Sequence, residues 1–265
     1  MKTQKLSIAF FAITLLSIAM ASCKKESERL ISNNQITSVT IKNNAVQVSQ
    51  AHDVFLMEML NHTSELSQSK GDELISLNDI LDVIEGVIGS RPMVLNDISE
   101  ISDSMPVFDL NNTTIRFANY ATSEKIQLYL NSIDSILDDA VDNDDMSILI
   151  HELNLIEERV LRDNNASITE KQTITNTIEV FKGSIALWDS LVMDYEDRGN
   201  PQNWSRWRKI LFIAAADAIG ALLGMYYFGV VTVGNYIFFV PPGTGVAGMA
   251  AAVSFIATCF VGWGG

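Results

Sequence analysis

The chain has 265 residues, enough for one or two domains, and its formal net charge of −14 is unevenly spread. Residues 1–29 carry five basic and two acidic groups, residues 30–200 carry ten and 29, and residues 201–265 carry three and one. So acidic a middle argues against a nucleic-acid-binding surface, which needs cations to displace phosphate counterions, and two cysteines without a CxxC or Cys/His cluster leave a structural zinc site without ligands.

The first element is a leader, "MKTQKLSIAFFAITLLSIAMASCKKESE". Lys2 and Lys5 make a positive start, Leu6 to Ala19 is mostly apolar, and the small residues Ala21 and Ser22 precede Cys23. This is the pattern of a secretion signal, and the apolar run is short for a membrane span. Cys23 and Cys259 lie in segments of different fate, which argues against a disulfide between them. "ERLISNNQ" then reads as a polar tether.

"ITSVTIKNNAVQVSQ" alternates, with Val39 and Ile41 before Asn43-Asn44 and Val46 and Val48 after, and predicts a short β-hairpin. Helical spacing follows. Val54, Met57, Leu60 and Leu66 supply one apolar face, and Leu77, Ile80, Leu81, Ile84 and Ile88 a second that ends at Gly89. Residues 90–118, with Pro92 and Pro106, read as loops. Three longer helices come next, on Ile126, Leu130, Ile133 and Leu137; on Ile148, Leu149, Leu153, Ile156 and Val160; and on Ile174, Ile178, Phe181, Ile185 and Leu191. The last begins with a capping box, Ser167 with Glu170. The fold class predicted is mainly α: an acidic helical bundle, a short N-terminal β-hairpin, and a C-terminal apolar helical hairpin.

The acidic middle holds little chemistry. Asp142, Asp144 and Asp145 have the flavour of a calcium loop, but the sixth-position glycine and twelfth-position carboxylate are missing. His151 and Glu152 lack the second histidine of HExxH. His52 and His62 have no partner in sequence and read as surface or half-buried helical residues. No nucleophile–base pair stands out, so the chain reads as non-enzymatic and without cofactor or metal.

At "RGNPQNWSRWRK" the composition changes. From Ile210 to Phe228 the only charge is Asp217, and from Val246 to Trp263 there is none. Gly243, Gly245 and Gly248 spell G-x-G-x-x-G, yet only seventeen residues follow, none acidic, so a dinucleotide-binding unit does not fit and no nucleotide is expected. Small residues recur at four-residue spacing instead: Ala216, Gly220 and Gly224 on one ridge, Ala250, Ser254, Thr258 and Gly262 on the other. Such ridges let two helices approach closely. The apolar runs, about 27–29 Å long as helices, match a hydrocarbon core. Trp204, Arg206, Trp207, Arg208, Lys209 and Trp263 would then sit at the membrane interface. The competing placement is a tail wrapped by the bundle; span length and aromatic belts favour the membrane. Asp217 is the tail's costly residue at membrane depth, with Ser254 and Thr258 as its expected partners. "GVVTVGNYIFFV", between the runs, fits a strand or a re-entrant piece.

Four resemblances add to this reading. "MASCKKE" resembles the lipobox of bacterial lipoproteins, with Met20 where leucine is usual, and "SCKK" before acidic residues resembles those of Bacteroidetes. It implies that residues 1–22 are removed, that Cys23 is acylated as the mature N-terminus, and that the chain is anchored in a Gram-negative cell envelope, in the outer membrane. Lys25, Glu26 and Glu28 resemble the short tract such proteins use for surface export. Asp103-Ser104-Met105, Asp134-Ser135-Ile136 and Asp189-Ser190-Leu191 resemble the Asp-Ser/Thr-apolar O-glycosylation signal of the same envelopes, and Ser104, in a loop, is the accessible candidate. The Ala/Gly-rich tail resembles bacteriocin tails and the hydrophobic hairpin of pore-forming colicins, which implies membrane insertion. The expected organisation is a signal peptide over 1–22, a lipidated tether over 23–35, an acidic ectodomain over 36–200 that folds without the tail, and a membrane-associating tail over 201–265. The partners expected are a lipid membrane and an envelope protein.

Overall fold

The computed structural model describes residues 37–70, 76–89, 93–94, 107–108, 116–143, 146–191, 205–226, 230–233, 236–239 and 245–260. The protein is mainly α. The helices are α1 (37–70), α2 (Leu77–Ile88), α3 (Glu124–Asn143), α4 (Met146–Arg162), α5 (Ile168–Leu191), α6 (Arg206–Tyr226) and α7 (Gly245–Phe260), with a 3-10 turn at Phe117–Tyr120. The described residues from Lys42 onward fall in one compact unit. The chain is therefore not divided near residue 200.

Residues 37–48 lie in α1, not in a β-hairpin. Their β-branched alternation is overridden by a longer pattern. Ala45, Ser49, His52, Leu56, Met59 and Thr63 recur every three to four residues, and all are buried. That period of about 3.6 specifies one helical stripe, and it leaves Val54, expected to be inside, 65% exposed.

α2 starts with a reciprocal capping box between Ser76 and Asp79 and stops at Gly89, whose φ of 74° suits glycine at a helix end. Leu81, Ile84 and Ile88 face inward. In α3 and α4 the buried lines are Ile126, Leu130, Ile133 and Leu137, and Leu149, Leu153, Ile156 and Val160, while Ile148 turns outward. Asp134 of α3 accepts the backbone N–H groups of Phe117 (2.7 Å) and Ala118 (3.0 Å), which pins the 3-10 turn and seats Phe117 against Phe181, ring centroids 5.6 Å apart. At the head of α5 the Glu170 carboxylate accepts the Ser167 N–H at 2.9 Å, and the Ser167 hydroxyl accepts the Glu170 N–H at 3.2 Å.

α6 is the centre of the bundle. All residues from Lys209 to Gly224 are buried. The helix packs mainly on α5 and α7, and its small residues set how closely. A Cβ placed on Gly220 would lie 2.8 Å from the Ala250 Cα, and one on Gly224 would lie 3.0 Å from the Val246 Cα. The register is antiparallel, since position rises on α6 as it falls on α7.

Between α6 and α7 the chain forms strands β3 (Val230–Val233) and β4 (Tyr236–Phe239). They pair antiparallel, Val233 with Tyr236. Strand β1 (Met93–Val94) pairs with β4, and β2 (Val107–Phe108) pairs with β3, in the order β1-β4-β3-β2. Two short pieces of the expected loop region are thus edge strands of a sheet whose centre comes from the tail.

Candidate functional site: a carboxylate inside the apolar helix

Asp217 sits in the middle of α6 with no exposed surface. A carboxylate taken out of water without partners costs several kcal/mol. Three neighbouring helices bring polar groups to it. From α1, His52 Nε2 lies 3.4 Å from Asp217 Oδ2, an ion-pair distance between two fully buried side chains. From α5, the Ser184 hydroxyl donates to the same oxygen. From α7, the Ser254 hydroxyl is close enough to favour the charged carboxylate, without a hydrogen bond of standard geometry. The other ring nitrogen of His52, Nδ1, is 2.9 Å from Asp53 Oδ1, whose side chain is 34% exposed. His52 therefore lies between two carboxylates, one inside and one at the edge of the bundle.

Burial disfavours the charged imidazole, but Asp217 and Asp53 outweigh it and raise the His52 pKa to about 9. Burial also pushes Asp217 upward, opposed by His52 and by the Ser184 and Ser254 hydroxyls. Near neutral pH the ring is a cation held against the tail's single acidic group.

The residue types resemble a hydrolytic triad, but the geometry does not. Ser184 donates to the carboxylate, not to the histidine, and Ser184, His52 and Asp217 are all fully enclosed. A nucleophile needs a base within reach and space for a substrate. What the arrangement does is compensate a charge and join α1, α5, α6 and α7 at one point.

A second charged cluster ties α1 to the bundle. Glu157 of α4, 1% exposed, is 3.0 Å from Lys42 Nζ and 3.2 Å from Lys182 Nζ, and Lys182 also pairs with Glu179. Burial works against the Glu157 carboxylate, and Lys182 and Lys42 outweigh it, leaving its pKa below the ordinary value.

The residues singled out from the sequence are distributed as follows. Gly220 and Gly224 face α7, but their neighbours there are Ala250, Val253, Met249 and Val246, not Ser254 or Thr258. Ser254 belongs to Asp217 instead. Thr258 is not a partner of Asp217: its hydroxyl donates to the Ser254 carbonyl at 2.8 Å. Ala216, Ala250, Ser254 and Thr258 are all fully buried. Lys209 is 2% exposed, inside the protein. Trp207 is half-buried, and its indole N–H donates to the Ala140 carbonyl at 3.4 Å. Arg206 pairs with Asp189 at 2.9 Å, and Arg208 is exposed. Cys23, Ser104, Trp204, Gly262 and Trp263 lie outside the described residues.

His62 and His151 are exposed, but His52 is wholly buried. His52, Ser184 and Asp53 are the members of the cluster that the sequence reading missed. The available signal was the stripe Ala45, Ser49, His52, Leu56, in which His52 is the one titratable residue. Reading residues 36–48 as strand hid it. Among the described residues no group of three or more His, Cys, Asp or Glu side chains is placed to hold a metal, and no helix is long and apolar enough to cross a membrane. Comparisons with protein-family models, curated proteins and solved structures give no match.

Proposed function

We propose that the chain is a non-enzymatic lipoprotein of a Gram-negative cell envelope, acyl-anchored at Cys23 and placed in the outer membrane, with a helical body that encloses a membrane-associating apolar hairpin, α6 and α7. The observation that carries the anchor is the sequence "MASCKKE" after a positive, apolar leader. Each buried CH₂ of an acyl chain contributes about 0.8 kcal/mol, so several chains on one cysteine hold a protein at a bilayer nearly permanently. The test is metabolic labelling with a fatty-acid probe. Wild type incorporates label and Cys23→Ala does not; equal labelling of the two removes the anchor from the account.

A second reading has its own support. A helix with no exposed residue from Lys209 to Gly224, packed on a second apolar helix and charge-compensated from α1, is a greasy pair stored inside a bundle. This supports a bacteriocin-like, membrane-inserting protein whose active segment is that pair. Dye release from vesicles by a peptide of residues 207–265 tests it, and absence of release at both pH 5 and pH 7 leaves the anchored lipoprotein alone.

A further inference from the structure

We propose that α1 is a removable strap: it closes over the α6–α7 pair through His52, and its displacement is the step that uncovers the apolar helices. The inference rests on the reading of α6 and α7 as membrane-associating, and it adds the element that controls them.

Position comes first. From Lys42 onward α1 touches α4, α5, α6 and α7. Lys42 reaches Glu157 on α4, Val48 packs with Val180, Ala221 and Ala250 of α5, α6 and α7, and His52 reaches Asp217 on α6. A Cβ built on Gly183 of α5 would lie 3.6 Å from the Ser49 Cβ, so α1 and α5 approach closely there. Near the end of α1, Lys70 pairs with Asp79 of α2 at 2.6 Å.

The chemistry of that contact comes second. Of the buried residues of α1, Ile41, Ala45, Ser49, His52, Leu56, Met59 and Thr63, three are large and apolar, Ile41, Leu56 and Met59, helped by partly buried Phe55 and Leu60. From Lys209 to Gly224, α6 instead inserts a surface that is apolar apart from Lys209 and Asp217. An element that buries less apolar surface opens at lower free energy than one that buries more. α1 thus detaches before α6 and α7 separate from each other. The histidine–carboxylate contact makes the strap specific, because Asp217 left alone in the bundle is an uncompensated buried charge. The titratable groups facing this contact are Asp217 from α6 and His52 and Asp53 from α1; α5 and α7 contribute the hydroxyls of Ser184 and Ser254.

Chain order comes third. Only residues 24–36 lie between Cys23 and α1 in the sequence. An acyl group on Cys23 would put the strap, of all the helices, next to the bilayer anchor along the chain.

The test locks the strap. The Ser49→Cys/Gly183→Cys pair, in the full chain with Cys259→Ala, places the two Cβ atoms within the roughly 3.5–4.5 Å span of a disulfide. Amide exchange of α6 is followed with the bond oxidised and reduced, in wild type and in His52→Ala. Vesicles of phosphatidylethanolamine and phosphatidylglycerol with entrapped dye are added in a parallel arm. The expected result is that His52→Ala accelerates α6 exchange at least tenfold when reduced, that oxidation restores slow exchange, and that dye release follows the same order. If His52→Ala does not fold, His52→Gln and the wild-type lock give the same comparison. Fast α6 exchange that persists in the oxidised protein would overturn the strap, because α6 would then loosen without α1 moving. So would exchange that His52→Ala and His52→Gln both leave unchanged. Exchange that follows the lock without any dye release would uphold the strap and remove the membrane-associating reading.

Discussion

His52 Nε2 on α1 and Asp217 Oδ2 on α6 stand 3.4 Å apart, and neither side chain has any exposed surface. Breaking such a pair from one side leaves a charge without compensation, at a cost of about 3–5 kcal/mol. His52→Leu is therefore expected to lower the free energy of unfolding by about that amount, while His52→Leu combined with Asp217→Leu recovers much of the loss. Urea unfolding of the three proteins measures it. A double variant as unstable as the sum of both single changes would contradict the pairing.

The same pair sets a pH dependence with a definite sign. The His52 pKa rises from 6.5 to about 9 on folding. Its contribution is fully present below about 6.5 and fades as pH climbs through about 9. Asp217 is also raised, so it too favours the folded state on the acid side of its pKa and opposes it above. Neither shift therefore makes folding less favourable as pH falls. Against His52→Gln, the wild type is expected to lose stability between pH 7 and pH 10, by up to about 1.4 kcal/mol per pH unit, the slope of one proton. Melting temperatures of both proteins across that range check it, and parallel curves would contradict it.

Glycines in different surroundings should respond in opposite directions. Gly220→Ala drives a methyl to 2.8 Å from the Ala250 Cα and 3.1 Å from the Val253 Cβ, with backbone on one side. The expected loss is about 1–3 kcal/mol, as for an overfilled core. Gly86→Ala, in the middle of α2, meets nothing within 4 Å and gains helix propensity of about 1 kcal/mol. Thermal melts of the two variants should shift in opposite directions.

Removing residues 201–265 tests where the core is. The tail was expected to be separable from a free-standing ectodomain, yet α6 is enclosed and packs on α5. Residues 30–200 alone would leave Asn176, Val180 and Ser184 of α5 without Met225, Ala221 and Asp217, which they meet in the full chain. The fragment is expected to show helical circular dichroism without a cooperative melt, and a sharp transition at the full chain's temperature would contradict this.

How much was legible depended on whether a pattern was local. α3, α4 and α5 announce themselves, because Ile126, Leu130, Ile133 and Leu137 and their counterparts fall at helical spacing on otherwise polar helices. The Ser167–Glu170 cap is local and was visible too. α1 was misread at its start because Val39, Ile41, Val46 and Val48 alternate over a few residues, while the stripe from Ala45 to Thr63 needs five turns to show itself. The Gly220 and Gly224 ridge was legible as a close-packing surface, though which α7 residues meet it depends on register. Of the partners of Asp217, Ser254 was legible from the tail's own pattern, but His52 and Ser184 were not. His52 and Ser184 are 165 and 33 residues away in sequence, and only the packing of α1 and α5 on α6 brings them there. An apolar run also reads alike whether lipid or protein surrounds it, since both remove the same surface from water.

The most direct test of the account separates the anchor from the stored helices. The leader is replaced by a cleavable secretion signal that leaves Lys24 as the first residue, so the full body is exported without Cys23. Cell fractions are then compared with the wild-type protein, membranes being washed with alkaline carbonate. The account expects wild type in the washed membrane and the Cys23-free chain in the soluble periplasmic fraction, because α6 and α7 stay enclosed behind α1. A Cys23-free chain that remains in the washed membrane would contradict it, since the tail and not the acyl group would then be holding the resting protein there.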